Sequence, residues 1–342
     1  LDNMVKVGVL GLGTMGSTHL DAYGKIDNAQ VVAVCDIKED VLAGKNKNEG
    51  NIEGQAQGGF DLNAPGLKKF TDGMQMINDP DIDVIDICLP TPEHLRYALA
   101  SLEAGKHTFM EKPLARTNED TKQLVDAAAK AKGMNMCALC MRFWPQWAWL
   151  KQQVEKQTYG KVLGATFRRV ASHPGYSFYF SGDDSGGAAL DLHIHDTDFI
   201  KYLFGMPKAV VSHGYSKETT AVDHLTTQYV YDDIPMVTAE GGWAMTKGFG
   251  FKMQYTVNFE KATASFDIAL PEPLTVSEVG KDPVTVKCEP EMGYYHELKY
   301  FLNCVETGNK PDTASFADAA ESVKIVLAEV QSVRTGQPVT LD

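Results

Sequence analysis

The strongest constraint in this chain is a glycine turn set between two apolar runs within its first 36 residues. Val5-Lys6-Val7-Gly8-Val9-Leu10 runs directly into Gly11-Leu12-Gly13-Thr14-Met15-Gly16. A second run, Val31 to Cys35, ends on Asp36, 20 positions beyond Gly16. Strand, glycine turn, helix, strand and terminal acid is the layout that cradles a dinucleotide. Gly11 permits the tight turn, Gly13 lets backbone N–H groups reach a pyrophosphate, and Gly16 lets the helix lie close to the strand. The helix N-terminus adds partial positive charge at the same place. Asp36 can accept hydrogen bonds from ribose hydroxyls, and its charge repels a 2′-phosphate. That favours NAD over NADP, a preference softened by Lys38 two residues on.

At 342 residues the chain has room for two domains with their own cores. Its 44% hydrophobic and 23% charged residues are the balance of a globular protein. No run of about 18 apolar residues occurs, so no membrane span is expected. Leu1-Asp2-Asn3-Met4-Val5 shows no basic and apolar leader pattern. A net charge of −13 with no basic block argues against nucleic acid and anionic membrane as partners. Among six cysteines, Cys137 and Cys140 form a CxxC, but in an extended run where residues three apart face opposite sides. A structural role, no metal site and reduced thiols in a cytoplasmic protein are the expectation.

Apolar strand-like runs recur at 5–10, 31–35, 83–88, 106–110 and 134–139, with helical stretches at 16–24, 93–104 and 117–132. That alternation predicts an α/β domain with a parallel sheet covered on both faces, over residues 1–140. The Gly/Asn/Gln-rich segment 44–66 reads as a surface loop. From 161 the pattern changes to longer alternating runs at 161–171, 208–217, 225–232, 235–245, 251–259 and 262–269. Asp232-Asp233 and Glu260-Lys261 fall where hairpin turns belong, so an α+β domain with a large, mostly antiparallel open sheet is expected over 141–342. Helices are expected at 187–204, 293–307 and 315–335.

Four clusters bear on chemistry. Leu89-Pro90-Thr91-Pro92 follows the third strand, where ligands of α/β sheets lie. Glu111-Lys112-Pro113 ends the fourth, and Pro113 holds Lys112 out of the α region. In Gly187–Asp198, Asp191 and His195 are four apart and Asp198 three further, which predicts one shared helical face. A carboxylate beside an imidazole is a workable acid–base unit, whereas His193 and His195, about 200° apart, cannot chelate one metal. Arg142, Trp144, Arg168, Arg169, His173 and Tyr176 offer aromatic faces and donors for a polyhydroxylated ligand. Arg168 and Arg169 are adjacent on a strand, so only one of them can face such a pocket.

Taken in order, GLGTMG, TPEH, EKP and GGAALDLHIHDTD resemble the glucose–fructose oxidoreductase and inositol dehydrogenase family (Gfo/Idh/MocA) over most of the chain. The resemblance implies a Rossmann domain and a second domain whose sheet mediates homodimers or homotetramers. It implies an NAD-dependent dehydrogenase acting on a sugar or cyclitol alcohol. By resemblance Lys112 is the catalytic lysine of EKP, His195 the acid–base histidine and Asp191 its supporting carboxylate. Thr91 and Glu111 match positions near the nicotinamide ribose. Cofactor contacts are expected at Gly11, Gly13, Thr14, Met15, Gly16, Asp36, Ile37, Leu89, Pro90, Thr91, His94, Glu111 and Lys112. Substrate contacts are expected at Arg142, Trp144, Arg169, Asp191 and His195. Thr91-Pro92-Glu93 departs from the family's frequent Thr-Pro-Asn, and some members carry Tyr in place of the helix His. Two alternatives stand beside this reading: a glycoside hydrolase that oxidises transiently on retained NAD, and a non-catalytic NAD-binding regulator.

Overall fold

A computed structural model describes residues 4–45, 55 and 58–341. Residues 1–3 and part of the loop expected over 44–66 lie outside the described residues. Among the described residues, no helix is long and apolar enough to cross a membrane.

The chain divides into two compact units: Leu1–Cys140 with Met292–Ala320, and Met141–Glu291 with Glu321–Asp342. The expected boundary near 140 assigned everything after it to the second domain, but the helix Gly293–Thr307 belongs with the first. Leu298, Phe301 and Leu302, spaced i, i+3, i+4, are fully buried there. Phe301 packs its ring 5.4 Å from that of Phe109.

The first unit holds β1 (Val5–Leu10), β2 (Ala29–Cys35), β3 (Lys68–Phe70), β4 (Val84–Ile87), β5 (His107–Glu111) and β6 (Asn135–Ala138). Their spatial order is β3-β2-β1-β4-β5-β6, and every pairing is parallel. Val7, Val9, Val84, Ile85, Ile87, Phe109 and Met110 are fully buried, as a sheet covered on both faces requires. Strand ends are in step: Leu10 pairs with Cys35 and with Ile87, and Ile87 with Met110. The glycine turn, Asp36, the Leu89–Pro92 loop and Lys112 therefore leave one edge of one sheet. The order reverses between β1 and β4, the switch point at which such sheets open a crevice for ligands.

The second unit carries β7 (Val162–Ser172), β8 (Ala209–Tyr215), β9 (His224–Val230), β10 (Met236–Met245), β11 (Lys252–Phe259), β12 (Ala262–Asp267), β13 (Leu274–Glu278), β14 (Val284–Thr285) and β15 (Val339–Thr340). Their order is β14-β13-β12-β11-β7-β10-β9-β8-β15. All neighbours are antiparallel except β7 and β10, which run parallel. Trp147 is the hub of the core, with the rings of Phe199, Tyr255, Phe167 and Phe266 at 4.8, 5.3, 5.7 and 6.2 Å.

Candidate active site

At the end of β1 the three glycines meet three different demands. Gly11 has φ +94°, and a Cβ there would lie 2.5 Å from the Cys88 carbonyl oxygen. At Gly16 a Cβ would lie 1.9 Å from the Gly11 carbonyl oxygen, so helix and turn touch backbone to backbone. Gly13 is the opposite case: a Cβ added there meets nothing within 4 Å. Gly13 is exposed and is the N-cap of the helix Thr14–Tyr23, with no side-chain cap. The turn thus presents bare backbone to open space at a helix N-terminus, the surface a pyrophosphate needs. Thr14 and Met15 are half-buried beside it.

Asp36 leaves β2 and turns back to the glycine loop. Its Oδ2 accepts the Leu12 N–H at 3.0 Å and its Oδ1 accepts the Lys38 N–H at 2.9 Å. Each carboxylate oxygen keeps a second lone-pair direction, so a ribose hydroxyl can still donate to it. The neighbouring Ile37 is 82% exposed, an apolar face without protein cover. Glycines, acid and exposed isoleucine together fit an adenosine diphosphate moiety.

On the other side of the switch point, Thr91–Glu93 makes a short 3₁₀ turn that leads into the helix His94–Glu103. Leu89 is half-buried, Pro90 exposed and Thr91 buried. His94, expected to contact cofactor, is itself fully buried. Its Nε2 lies 2.8 Å from the Leu89 carbonyl and its Nδ1 2.8 Å from the Pro113 carbonyl. Both ring nitrogens serve protein carbonyls, so the expectation is corrected: His94 ties the Leu89 loop to the Lys112 loop. Burial lowers its pKa against the pull of those carbonyls. The Lys112–Pro113 peptide is cis, and Lys112 is half-buried. Glu111 turns inward: its Oε2 accepts the Lys112 N–H at 3.0 Å, and its Oε1 lies 3.2 Å from His19 Nε2.

That histidine belongs to a buried group the sequence reading missed. His19 Nδ1 is 2.9 Å from Asp86 Oδ2, which also accepts the Tyr23 hydroxyl at 3.0 Å. Cys88 Sγ lies 3.2 Å from His19 Nδ1, and Glu297 is fully buried nearby in the same unit. The signal was available. Asp86 interrupts Val84-Ile85-Asp86-Ile87-Cys88, and a charge within a buried strand needs partners.

In the second unit, Gly187–Asp198 sorts its acids and histidines. The helix Ile194–Phe204 is preceded by a π-turn, Ala189–His193, whose wider winding disturbs the 3.6-residue period. His193 is fully buried against Gly241, where a Cβ would lie 2.2 Å from its Nδ1. Its Nε2 is 3.4 Å from Glu329 Oε2 and 3.3 Å from the Tyr229 hydroxyl. Burial opposes the charged ring most strongly, but the charge and hydrogen bond of Glu329, together with the charge of Asp196, leave the His193 pKa above its usual value. Asp196 is held by Arg169, Nε to Oδ2 at 2.7 Å. Asp198 is held by Arg142 through two bonds of 2.9 and 2.7 Å, and by the Ser322 hydroxyl at 2.6 Å.

Three expectations change accordingly. Asp198 does not join Asp191 and His195; it is buried in its own ion pair. Arg142 and Arg169 are spent on those carboxylates, with side chains 2% and 3% exposed, so they brace the helix rather than receive a substrate. Trp144 is buried at the N-cap of the helix Pro145–Glu155, leaving little surface for a ligand. As its strand position required, Arg168 points away from Arg169 and pairs with Glu240 at 2.7 Å. Asp191 and His195 stay half-buried.

Residues 5–138 match the family model described as an oxidoreductase family, NAD-binding Rossmann fold, and residues 147–265 match the GFO/IDH/MocA C-terminal domain. The first unit is thus an NAD-binding Rossmann fold. The chain is 32% identical over 203 residues to myo-inositol 2-dehydrogenase of Thermotoga maritima (59% of this chain, 55% of the relative). It is 33% identical over 212 residues to levoglucosan dehydrogenase of Pseudarthrobacter phenanthrenivorans (60% and 53%). These two matches span about half the length of the relatives. A third, scyllo-inositol 2-dehydrogenase (NAD(+)) of Bacillus subtilis, is 25% identical over 357 residues, 100% of this chain and 98% of that one. Among solved structures, levoglucosan dehydrogenase in complex with NADH and levoglucosan has the same fold, with a TM-score of 0.85 at 22% identity, covering 98% of this chain and 99% of the other.

Proposed function

The chain belongs to the GFO/IDH/MocA oxidoreductase family, and from that premise we propose that it moves a hydride between NAD and a secondary alcohol or ketone of a sugar, sugar derivative or cyclitol. Relatives named as inositol and levoglucosan dehydrogenases support that substrate class. Gly11, Gly13 and Gly16 with Thr14, Met15, Asp36 and Ile37 hold the dinucleotide, and Leu89, Pro90 and Thr91 line its nicotinamide end. Bound NAD supplies the hydride acceptor. In the oxidation direction His195 takes the hydroxyl proton, as a neutral imidazole does near pH 7. Asp191, four residues earlier, steadies the imidazolium. The Lys112 ammonium stabilises the oxygen as negative charge develops on it. Reduction runs through the same groups in reverse.

The observation that carries this reading is the exposure pattern of the second-unit helix: His193, Asp196 and Asp198 are buried, whereas Asp191 and His195, four residues apart, keep partial exposure. A non-catalytic regulator has no need of that pair. We also assign the chain a cytoplasmic setting and a homodimer or homotetramer built through the second-unit sheet.

A panel of sugars and cyclitols with NAD and with NADP, read by the absorbance of the reduced nicotinamide, tests the proposal. The expected result is net NADH from at least one polyol, with NAD favoured. Glycoside cleavage without net NADH would replace the dehydrogenase with the hydrolase reading. Tight NAD binding with no turnover of any polyol or glycoside would favour the regulator.

A further inference from the structure

Within the NAD-binding unit, six titratable side chains from four elements meet out of water. His19 and Tyr23, four apart on the helix that follows the glycine turn, face Asp86 on β4 and Cys88 just beyond it. Glu111 comes from the end of β5, and Glu297 from the helix Gly293–Thr307. His19, Asp86 and Glu297 are fully buried, and Glu111 nearly so. Two carboxylates, Asp86 and Glu111, approach the two nitrogens of one imidazole: Nδ1 at 2.9 Å in a hydrogen bond, and Nε2 at 3.2 Å as an ion pair.

Buried carboxylates require compensation, and His19 is the cation within reach of both. Burial alone would discharge that ring, but Asp86 beside it lifts its pKa well above the usual value. Cys88 adds a thiol, whose pKa burial pushes far up, 3.5 Å from Asp86 Oδ1. Burial, followed by the charge of Glu111, raises the pKa of Glu297 well above its ordinary value and so opposes a third negative charge there. The remaining oxygen of Glu111 accepts the Lys112 N–H at 3.0 Å. A continuous path therefore joins the helix that packs on the dinucleotide turn to the backbone of the proposed catalytic lysine.

We propose that His19 is a positioning residue: anchored by Asp86, it fixes the Glu111 carboxylate, which in turn holds the Lys112 backbone in place for the reaction. The proposal deepens the reading of Lys112 given above and rests on it for its kinetic consequences. Its structural content, that His19 orders Lys112, has a readout independent of turnover.

The experiment compares full-length wild type with His19→Gln, Glu111→Gln and the double variant. Three quantities are measured: kcat on the polyol that turns over best, NAD affinity by fluorescence titration, and the rate at which an amine-specific acylating reagent labels Lys112, read by peptide mass spectrometry. Each single variant is expected to lower kcat by about ten-fold or more while NAD affinity moves less than about three-fold, because misplacement of a catalytic group costs rate before binding. The double variant should lose no more than either single, since both break one path. Labelling of Lys112 should change by about three-fold or more in all three variants. Asp86→Asn, which keeps the volume and removes the charge, should reproduce His19→Gln, and it serves as the second probe if that variant folds poorly.

Additive losses or unaltered Lys112 labelling would overturn the proposal. So would a stoichiometric metal in the purified protein, because His19, Asp86 and Cys88 bring ligand atoms within 4.8 Å of one another and would then serve the ion. If the wild type turns over no polyol, the dehydrogenase reading fails by itself, and Lys112 labelling still decides whether His19 orders the loop.

Discussion

Arg169 Nε lies 2.7 Å from Asp196 Oδ2 inside the second unit, the two side chains being 3% and 0% exposed. The Arg142–Asp198 pair repeats the arrangement two residues along the same helix, with both side chains 2% exposed. The helix that carries Asp191 and His195 is therefore braced by two ion pairs and by the His193–Glu329 contact, all in the interior of one unit. Rigid support of this kind holds reacting groups within the tight tolerances that catalysis needs.

If Arg169 braces the helix, its loss should act on stability. Breaking a buried pair by removing one partner leaves an uncompensated charge and costs about 3–5 kcal/mol. Arg169→Met should therefore lower unfolding free energy by that order in a denaturant titration. The KM for polyol in the folded fraction should stay near the wild-type value. A large KM increase without loss of stability would return Arg169 to the substrate.

Gly13 and Gly16 separate binding from folding. Gly16→Ala places a methyl 1.9 Å from the Gly11 carbonyl oxygen, so the helix must move off the turn. Low folded yield or a strongly reduced Tm is expected. Gly13→Ala meets no protein atom within 4 Å, so the fold should tolerate it. Its methyl would instead occupy the approach to the pyrophosphate and weaken NAD binding by about ten-fold, equivalent to about 1.4 kcal/mol. Calorimetry with NAD alongside thermal unfolding of both variants would check the split.

Lys112→Met keeps the length of the side chain and removes its charge. A residue that stabilises developing negative charge in the transition state is worth about 10²–10³ in kcat. A loss of that order, with NAD affinity nearly unchanged, is expected in steady-state kinetics paired with a binding titration. Equal losses in kcat and NAD affinity would make Lys112 a cofactor ligand instead.

The sequence revealed those parts of the fold whose physics is local. β1, β2, β4, β5 and β6 are short apolar runs, and each was legible as a buried strand. Lys68-Lys69-Phe70 was not, because an edge strand with two lysines has no apolar pattern. The parallel pairing of β7 with β10 joins strands more than 60 residues apart, beyond what alternation can show. The helix Gly293–Thr307 was readable as a helix, but nothing local states which sheet its apolar face covers. At the site, the glycines and Asp36 follow a spacing rule and were found. Arg142, Arg169 and His94 looked like ligand contacts because their partners, Asp198, Asp196 and two backbone carbonyls, become visible only in three dimensions. Two cues were there to use: Asp86 inside an apolar strand, and Gly241 inside β10, where the bare backbone admits the His193 ring.

Glu297 gives the pH prediction. Its carboxyl is fully buried with neither oxygen hydrogen-bonded, and burial followed by the charge of Glu111 raises its pKa well above the ordinary 4.5. In the unfolded chain it ionises near 4.5, while in the folded chain it keeps its proton to higher pH. Above 4.5 the folded state therefore binds more protons than the unfolded state, and stability falls as pH rises until the folded group ionises as well. Glu297→Gln preserves the shape and abolishes this titration. The difference in Tm between Glu297→Gln and wild type should be small near pH 4.5 and should grow in favour of the variant as pH increases. His19 contributes a separate slope. Its raised pKa gives stability that is full below the usual 6.5 and fades as the pH climbs through the folded value, and it is present in both proteins. Thermal unfolding of the two proteins across a pH series isolates the Glu297 effect. A Tm difference that does not vary with pH would mean that Glu297 is ionised in the folded chain.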